Sequence, residues 1–295
     1  MFAEDLLAGQ KILVTGGGTG LGRAMTERLM ELGAEVVIWG RRKSVLDETA
    51  AELREKTGAV IHTQAVDIRD PDMVDEAVAE IWAAGPLTGL VNNAAGNFIS
   101  RTEDLSPRAF DAIAGIVFHG TFYTTNACGK RWIAAGDKAS VLSIVVTWVW
   151  SGSPYVVPSA MSKSGVATMT KSLAMEWGPK GIRLNAIAPG PFPTKGAWER
   201  LNPGQSGDDA SAHRMDHNPM RRVGEHSELA NLAAFLMADE VAYLTGQVIA
   251  IDGGESLTNG GTFARLDSLT DEDWTNIREQ IKTANAADKA KRVKG

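Results

Sequence analysis

The chain has 295 residues, 44% of them apolar and 22% charged, with a formal net charge of −6. That is enough apolar material for one large α/β domain or two small ones, under a surface that does not attract nucleic acid. A single cysteine excludes an internal disulfide, no paired Cys or His residues suggest a zinc site, and no run of about 18 apolar residues could cross a membrane. The opening MFAEDLLAGQ lacks the basic start and apolar stretch of a secretory signal, so the expected setting is cytoplasmic.

Lys11–Thr15 is a short apolar run met at once by glycines and reads as a buried strand. Leu21–Leu32 has helical spacing, and Gly33 stops it. A second strand over Glu35–Trp39 leads into a polar helix, Ser44–Lys56. A third strand, Ala59–Val66, ends at Asp67, and Asp70-Pro71 opens the next helix. Leu90-Val91 runs into Asn92-Asn93-Ala94-Ala95-Gly96. The alternation continues with a helix near Ser106–Trp132, a strand at Val141–Val146 and a Gly/Pro-rich loop. Beyond that loop come a helix at Ser159–Trp177, a strand at Arg183–Ala188, a helix at Ser227–Ala238 and a last strand at Gln247–Ile251. Strands alternating with helices of this length predict βαβ units, hence a single doubly wound parallel sheet of Rossmann type with helices on both faces. We assign residues 1–264 to it, with 189–222 as an irregular substrate lid carrying a short helix near 197–201. Residues 265–295 form a C-terminal helix, opened by Thr270–Asp273 and carrying Trp274, Ile277 and Ile281, and then a flexible basic tail.

Three stretches carry chemistry. Gly16-Gly17-Gly18-Thr19-Gly20-Leu21-Gly22, between a strand and a helix, suits a pyrophosphate resting on the N–H groups of the helix start. After the second strand, where a carboxylate would accept from the 2′-hydroxyl of NAD, stand Arg41 and Arg42, with no acid before Asp47. Guanidinium groups suit a 2′-phosphate, so NADP(H) is the expected cofactor. Asp67, with Ile68 beside it, is placed for the adenine, and Asn92, Asn93, Ala94 and Gly96 for the adenosine side of the cleft. In the third stretch, Ser159 and Lys163 lie one turn apart on one helix face. A lysine on an apolar face is costly to bury unless it serves a ligand. Ser159 is either a ligand-binding hydroxyl or the helix N-cap.

The runs GGGTGLGR (16–23), VDIRDPDMV (66–74), NNAAGNFIS (92–100), YVVPSAMSKSGV (155–166), APGPFPTKGAWERL (188–201) and IDGGE (251–255) together resemble the short-chain dehydrogenase/reductase superfamily, and within it the 2,4-dienoyl-CoA reductase branch. Most of that superfamily carries Tyr-x-x-x-Lys; here the position four before Lys163 is Ser159 and no Tyr-x-x-x-Lys occurs. The resemblance implies NADPH-dependent reduction of a 2,4-dienoyl-CoA thioester to a trans-3-enoyl-CoA during oxidation of unsaturated fatty acids. It implies that Asn97 holds the thioester oxygen and that Lys163 binds the nicotinamide ribose. Pro189, Gly190, Pro191 and Phe192 would wall the nicotinamide, Thr194 would touch the cofactor's phosphates, and Arg69, Phe98, Ser106 and Arg200 would touch the acyl-CoA. It also implies a homotetramer built on the helices near 106–132 and 159–177. The branch places a tyrosine eleven residues before its serine, and counting back here reaches Trp148. An indole N–H can donate a hydrogen bond but no proton, so Trp148 is either a second oxyanion donor or a packing residue, with Tyr155 as a substitute. The alternatives are another short-chain reductase of an enoyl or oxo thioester or enone, and a cofactor-binding pseudoenzyme.

Overall fold

The computed structural model describes residues 2–194, 218–258, 270–273, 275–277 and 279. Most of the expected lid, Arg200 within it, Trp274, Ile281 and the basic tail lie outside the described residues. The chain parts into two units, 1–256 and 257–295.

In the first unit seven parallel strands take the order β3-β2-β1-β4-β5-β6-β7. They are β1 (Lys11–Thr15), β2 (Glu35–Gly40), β3 (Ile61–Ala65), β4 (Gly89–Asn92), β5 (Ala139–Ile144), β6 (Ile182–Pro189) and β7 (Val248–Ile251). Both faces of the sheet are covered, so the inner strands are continuous apolar runs instead of alternating ones. Ile12 and Val14 face a core shared with Met25 and Leu29 of α1 (Gly20–Glu31), Leu46 and Leu53 of α2 (Lys43–Thr57) and Leu229 of α8 (His226–Met237). Leu13 between them faces the opposite core, with Val74 and Val78 of α3 (Pro71–Ala83), Trp132 of α5 (Gly120–Ala135) and Trp177 of α7 (Val157–Trp177). Each such fully buried side chain contributes about 1.5–3 kcal/mol. The winding reverses between β1 and β4, and that reversal opens a crevice at the carboxyl ends of the strands.

The helix expected over Ser106–Trp132 is interrupted. Its parts are α4 (Pro107–Ala114), a π turn at Gly115–His119, and α5, which runs on to Ala135 and closes at Gly136 with φ +72. Gly115 lies against the Arg69 side chain, Gly120 against Ile68, and Phe118 sits where a side chain on Gly165 would be. A one-residue insertion of this kind leaves no trace in hydrophobic spacing. The loop expected after β5 contains a single helical turn, α6 (Trp148–Ser151). The third strand is shorter than expected, the fifth keeps its expected length but begins two residues earlier, and the expected opening of α3 is present: Asp70 accepts from the N–H groups of Asp72 and Met73, with Pro71 following. In the second unit Thr270 and Asp273 cap each other reciprocally.

Gly22 tests the tightness of the first crossover. A Cβ built there would overlap the Gly16 carbonyl oxygen and the Asn93 side-chain nitrogen. Gly22→Ala is expected to destabilise the fold by about 1–3 kcal/mol, read as a lower denaturant midpoint at unchanged m-value. Wild-type stability would mean that the loop can yield.

Candidate active site

The glycine loop is held from the β4 side. Thr15 Oγ1 accepts from the Asn93 and Ala94 N–H groups, both at 3.0 Å, and the Asn93 side-chain amide donates to the carbonyls of Thr15 (3.0 Å) and Gly16 (3.3 Å). Asn93, expected among the cofactor contacts, thus engages its side chain in fixing the loop. At the start of α1, Thr19 makes no side-chain cap and no acid occupies the first turn, so the N–H groups and the dipole are left open to an anion. Thr194 lies over this end; a Cβ on Gly20 would come within 3.3 Å of Thr194 Cγ2.

Arg41 and Arg42 stand exposed at the carboxyl end of β2, Arg42 in the N-cap position of α2, and neither side chain is paired among the described residues. The next carboxylate, Asp47, is already taken by Lys43 and by Thr63 Oγ1 (2.7 Å). Nothing acidic is left at that strand end for a ribose hydroxyl, whereas two guanidinium groups are available for a phosphate. These residues therefore fit a 2′-phosphorylated dinucleotide. Asp67 is gripped by Arg69, whose guanidinium holds its carboxyl below the usual carboxylate range.

On the other side of the crevice, β5 ends at Ile144 and leads into α6. Val149 packs against the small core of Val145, Val166 and Ala167. Half-buried Trp148 and exposed Trp150 flank it in sequence, and the Trp148 indole N–H has no hydrogen-bond partner among the described residues. α7 begins at Val157, capped by no side chain, so Ser159 is not its N-cap but lies within the first turn. Ser159 is 5% exposed and its hydroxyl makes no hydrogen bond among the described residues. Ser162 and Ser164 show the usual alternative, bonding back four residues to the carbonyls of Pro158 (2.7 Å) and Ala160 (2.8 Å). Ser159 lacks that option because the carbonyl four residues earlier belongs to Tyr155. Tyr155 is in the left-handed region (φ +64), and its carbonyl accepts from the Ser100 N–H at 2.9 Å. The same bond ties the Asn97 loop to the start of α7. The Asn97 side-chain oxygen Oδ1 accepts from the Phe98 N–H (2.9 Å), leaving its NH₂ group without an acceptor among the described residues. Lys163, one turn beyond Ser159, is buried, donates from Nζ to the Ile144 carbonyl, and has its pKa pushed down to about 8 by desolvation.

The remaining expected residues separate. Phe192 is buried against Gly224, and the stretch from Pro189 is pinned by Gly190 N–H to Ile251 (3.0 Å) and Gly224 N–H to Pro191 (2.9 Å). His226 Nε2 lies 2.6 Å from the Pro193 carbonyl oxygen, a contact that sequence reasoning missed because nothing in the helix start that carries it marks a long-range partner. Ser106 accepts the Ala109 N–H (3.2 Å) as the cap of α4, and Arg69 sits on Asp67. Phe98 is half-buried in the Asn97 loop. A cavity of about 530 Å³ opens beside Gly20, Thr194 and His226; Trp148, Ser159 and Lys163 do not line it.

A family model described as enoyl-(acyl carrier protein) reductase matches residues 16–256. A protein of Caenorhabditis elegans named a probable 2,4-dienoyl-CoA reductase, (3E)-enoyl-CoA-producing, is 44% identical over 291 residues, covering 97% of this chain and 94% of the relative. A Bacillus subtilis protein named a probable 2,4-dienoyl-CoA reductase, (2E)-enoyl-CoA-producing, is 41% identical over 251 residues, covering 83% and 96%. Among solved structures, a candidate 2-deoxy-D-gluconate 3-dehydrogenase of Agrobacterium tumefaciens with bound NADP superposes with a TM-score of 0.77 at 32% identity, covering 86% of this chain and 99% of that one.

Proposed function

The chain belongs to the short-chain dehydrogenase/reductase superfamily, as an oxidoreductase with near-full-length 2,4-dienoyl-CoA reductase relatives, and from that premise we propose that it reduces 2,4-dienoyl-CoA thioesters with NADPH. Bound NADPH supplies a hydride for the δ-carbon of the conjugated thioester. The electron pair displaced along the diene then comes to rest on the thioester oxygen, and the protein must hold that charge. The observation that carries the reading is three donors without acceptors among the described residues: the Asn97 NH₂, the Trp148 indole N–H and the Ser159 hydroxyl. Preorganised donors of this kind are worth roughly 3–4 kcal/mol each in a dry site. Lys163 holds the nicotinamide ribose and adds positive charge; Gly16–Gly22 and Thr194 take the pyrophosphate, and Arg41 with Arg42 the 2′-phosphate. Phe98 lies beside Asn97 for the acyl end.

A proton completes the reaction. Delivered to the α-carbon it gives the 3-enoyl thioester, and to the γ-carbon the 2-enoyl isomer. Trp148 has no proton to give, so the proton comes from water, and the 44%-identical relative named (3E)-enoyl-CoA-producing supports its delivery to the α-carbon and a trans-3-enoyl-CoA product. Purified protein with NADPH and a short 2,4-dienoyl-CoA should oxidise the cofactor and remove the diene, with the double bond located by NMR. Turnover of trans-2-enoyl-CoA in place of the diene would favour the enoyl reductase reading suggested by the description of the matching family model.

The apolar residues Phe118, Phe122, Met161 and Met175 are exposed on the π turn, α5 and α7, which supports a tetramer built on those helices. Light scattering should read about four times the chain mass of 31.5 kDa, and a monomer would remove this part of the proposal. No helix among the described residues is long and apolar enough to cross a membrane. Cys128 is the only cysteine and is buried, which suits a reducing compartment such as the cytoplasm. A place in the oxidation of unsaturated fatty acids follows from the substrate.

A further inference from the structure

Arg69 was expected against the acyl-CoA, yet its side chain points its charge elsewhere. Pairing between the second and third strands continues past β3, with the Val66 N–H on the Gly40 carbonyl at 2.9 Å, so Asp67 leaves the sheet beside Arg41. Arg69 grips the Asp67 carboxylate through Nε (2.9 and 3.1 Å to the two oxygens) and Nη2, and its own N–H adds a bond to Oδ1 at 3.1 Å. Gly115 lies against the same arginine: a Cβ there would be 3.6 Å from Arg69 Cδ. Arg41 is close enough for its charge to act on Asp67, yet it makes no ion pair among the described residues. The Asp67 carboxylate thus lies within the influence of two guanidinium groups, and only that of Arg69 closes on it.

We propose that Arg69 is a positioning residue for cofactor selectivity: by occupying Asp67 it keeps Arg41 free for the 2′-phosphate of NADP(H). This rests on the NADP(H) reading above. Without Arg69, the Asp67 carboxylate would be left facing Arg41, and either an ion pair or plain repulsion would weaken binding of a phosphate at that strand end. The 2′-phosphate is what distinguishes NADPH from NADH, so the effect belongs to the ratio of their affinities. Contacts to the shared adenine cancel in that ratio.

Dissociation constants for NADPH and NADH, measured by fluorescence on the full chain, test this without turnover. Arg69→Met should lower the preference for NADPH by about tenfold, the order expected for one charge acting across a partly exposed site. Asp67→Asn added to it should restore the preference, because the competing carboxylate is gone. A preference that survives in Arg69→Met overturns the inference, as does one that is lost and not restored by Asp67→Asn, which would mark Arg69 as merely structural. A rise confined to the KM for dienoyl-CoA would return Arg69 to the substrate. If the wild-type chain shows no preference for NADPH, the NADP(H) reading fails and the inference with it; failure in Arg69→Met alone leaves that reading standing.

Discussion

Lys163→Met is expected to lower kcat by roughly 10²–10³-fold while leaving the chain folded. The side chain is 8% exposed, sits on α7 one turn beyond Ser159, and among the described residues has only the Ile144 carbonyl as a partner. No carboxylate among the described residues pairs with it, so its charge is held in a desolvated site for a ligand, and burial brings its pKa down to about 8. Methionine fills a similar volume without the charge. The lost bond to Ile144 costs about 1 kcal/mol and the relieved desolvation offsets it, so the melting temperature should hardly move. A lysine whose pKa is depressed keeps its ammonium below about 8 and loses it as pH rises through that value. Since the ammonium is the working form, kcat/KM, which reports the free enzyme, should be flat on the acid side of 8 and fall about tenfold per pH unit on the alkaline side. Steady-state kinetics over pH 6–10 reads it; a flat profile, or wild-type kcat in Lys163→Met, would remove Lys163 from the reaction.

Trp148→Phe is expected to cost about 10–1000-fold in kcat with little change in KM. Phenylalanine keeps an aromatic ring in the half-buried position on α6 and removes the N–H, so a loss in kcat alone isolates the donor. Trp148→Tyr returns a donor that can also deliver a proton, and kcat should recover most of the loss. An unchanged kcat in Trp148→Phe would mean that the indole only packs and that Asn97 and Ser159 hold the oxygen without it.

The sheet was legible because each strand is a short apolar run flanked by turn chemistry, and the glycine loop because its demand on the backbone is local. Arg41 and Arg42 were legible for the same reason: what matters is which charges follow β2. The α6 turn was hidden, since Trp148–Ser151 is four residues between Thr147 and Gly152, too short to show a period. The free hydroxyl of Ser159 depends on a left-handed Tyr155 and on Ser100, fifty-nine positions from Ser159, so no local reading could separate ligand-binding from capping. The pairing of Arg69 with Asp67 is local in sequence, yet nothing in a two-residue spacing separates an ion pair from two side chains that serve different ligands.

The π turn at Gly115–His119 sets a rotational phase. One residue beyond an α turn corresponds to about 100° of rotation and 1.5 Å of advance along the axis. Upstream of that step, Ile113 faces Gly96, with Ile116 at its threshold, and Gly115 abuts Arg69; past it, Gly120 abuts Ile68 and α5 runs on beneath the sheet. The nucleotide end and the donor end of the crevice are therefore keyed to each other by a count of residues and not by any one side chain. Within these five positions, exchanging a residue and removing one are different operations: the first alters a contact, while the second turns α4 and the Asn97 loop against α5 and α7.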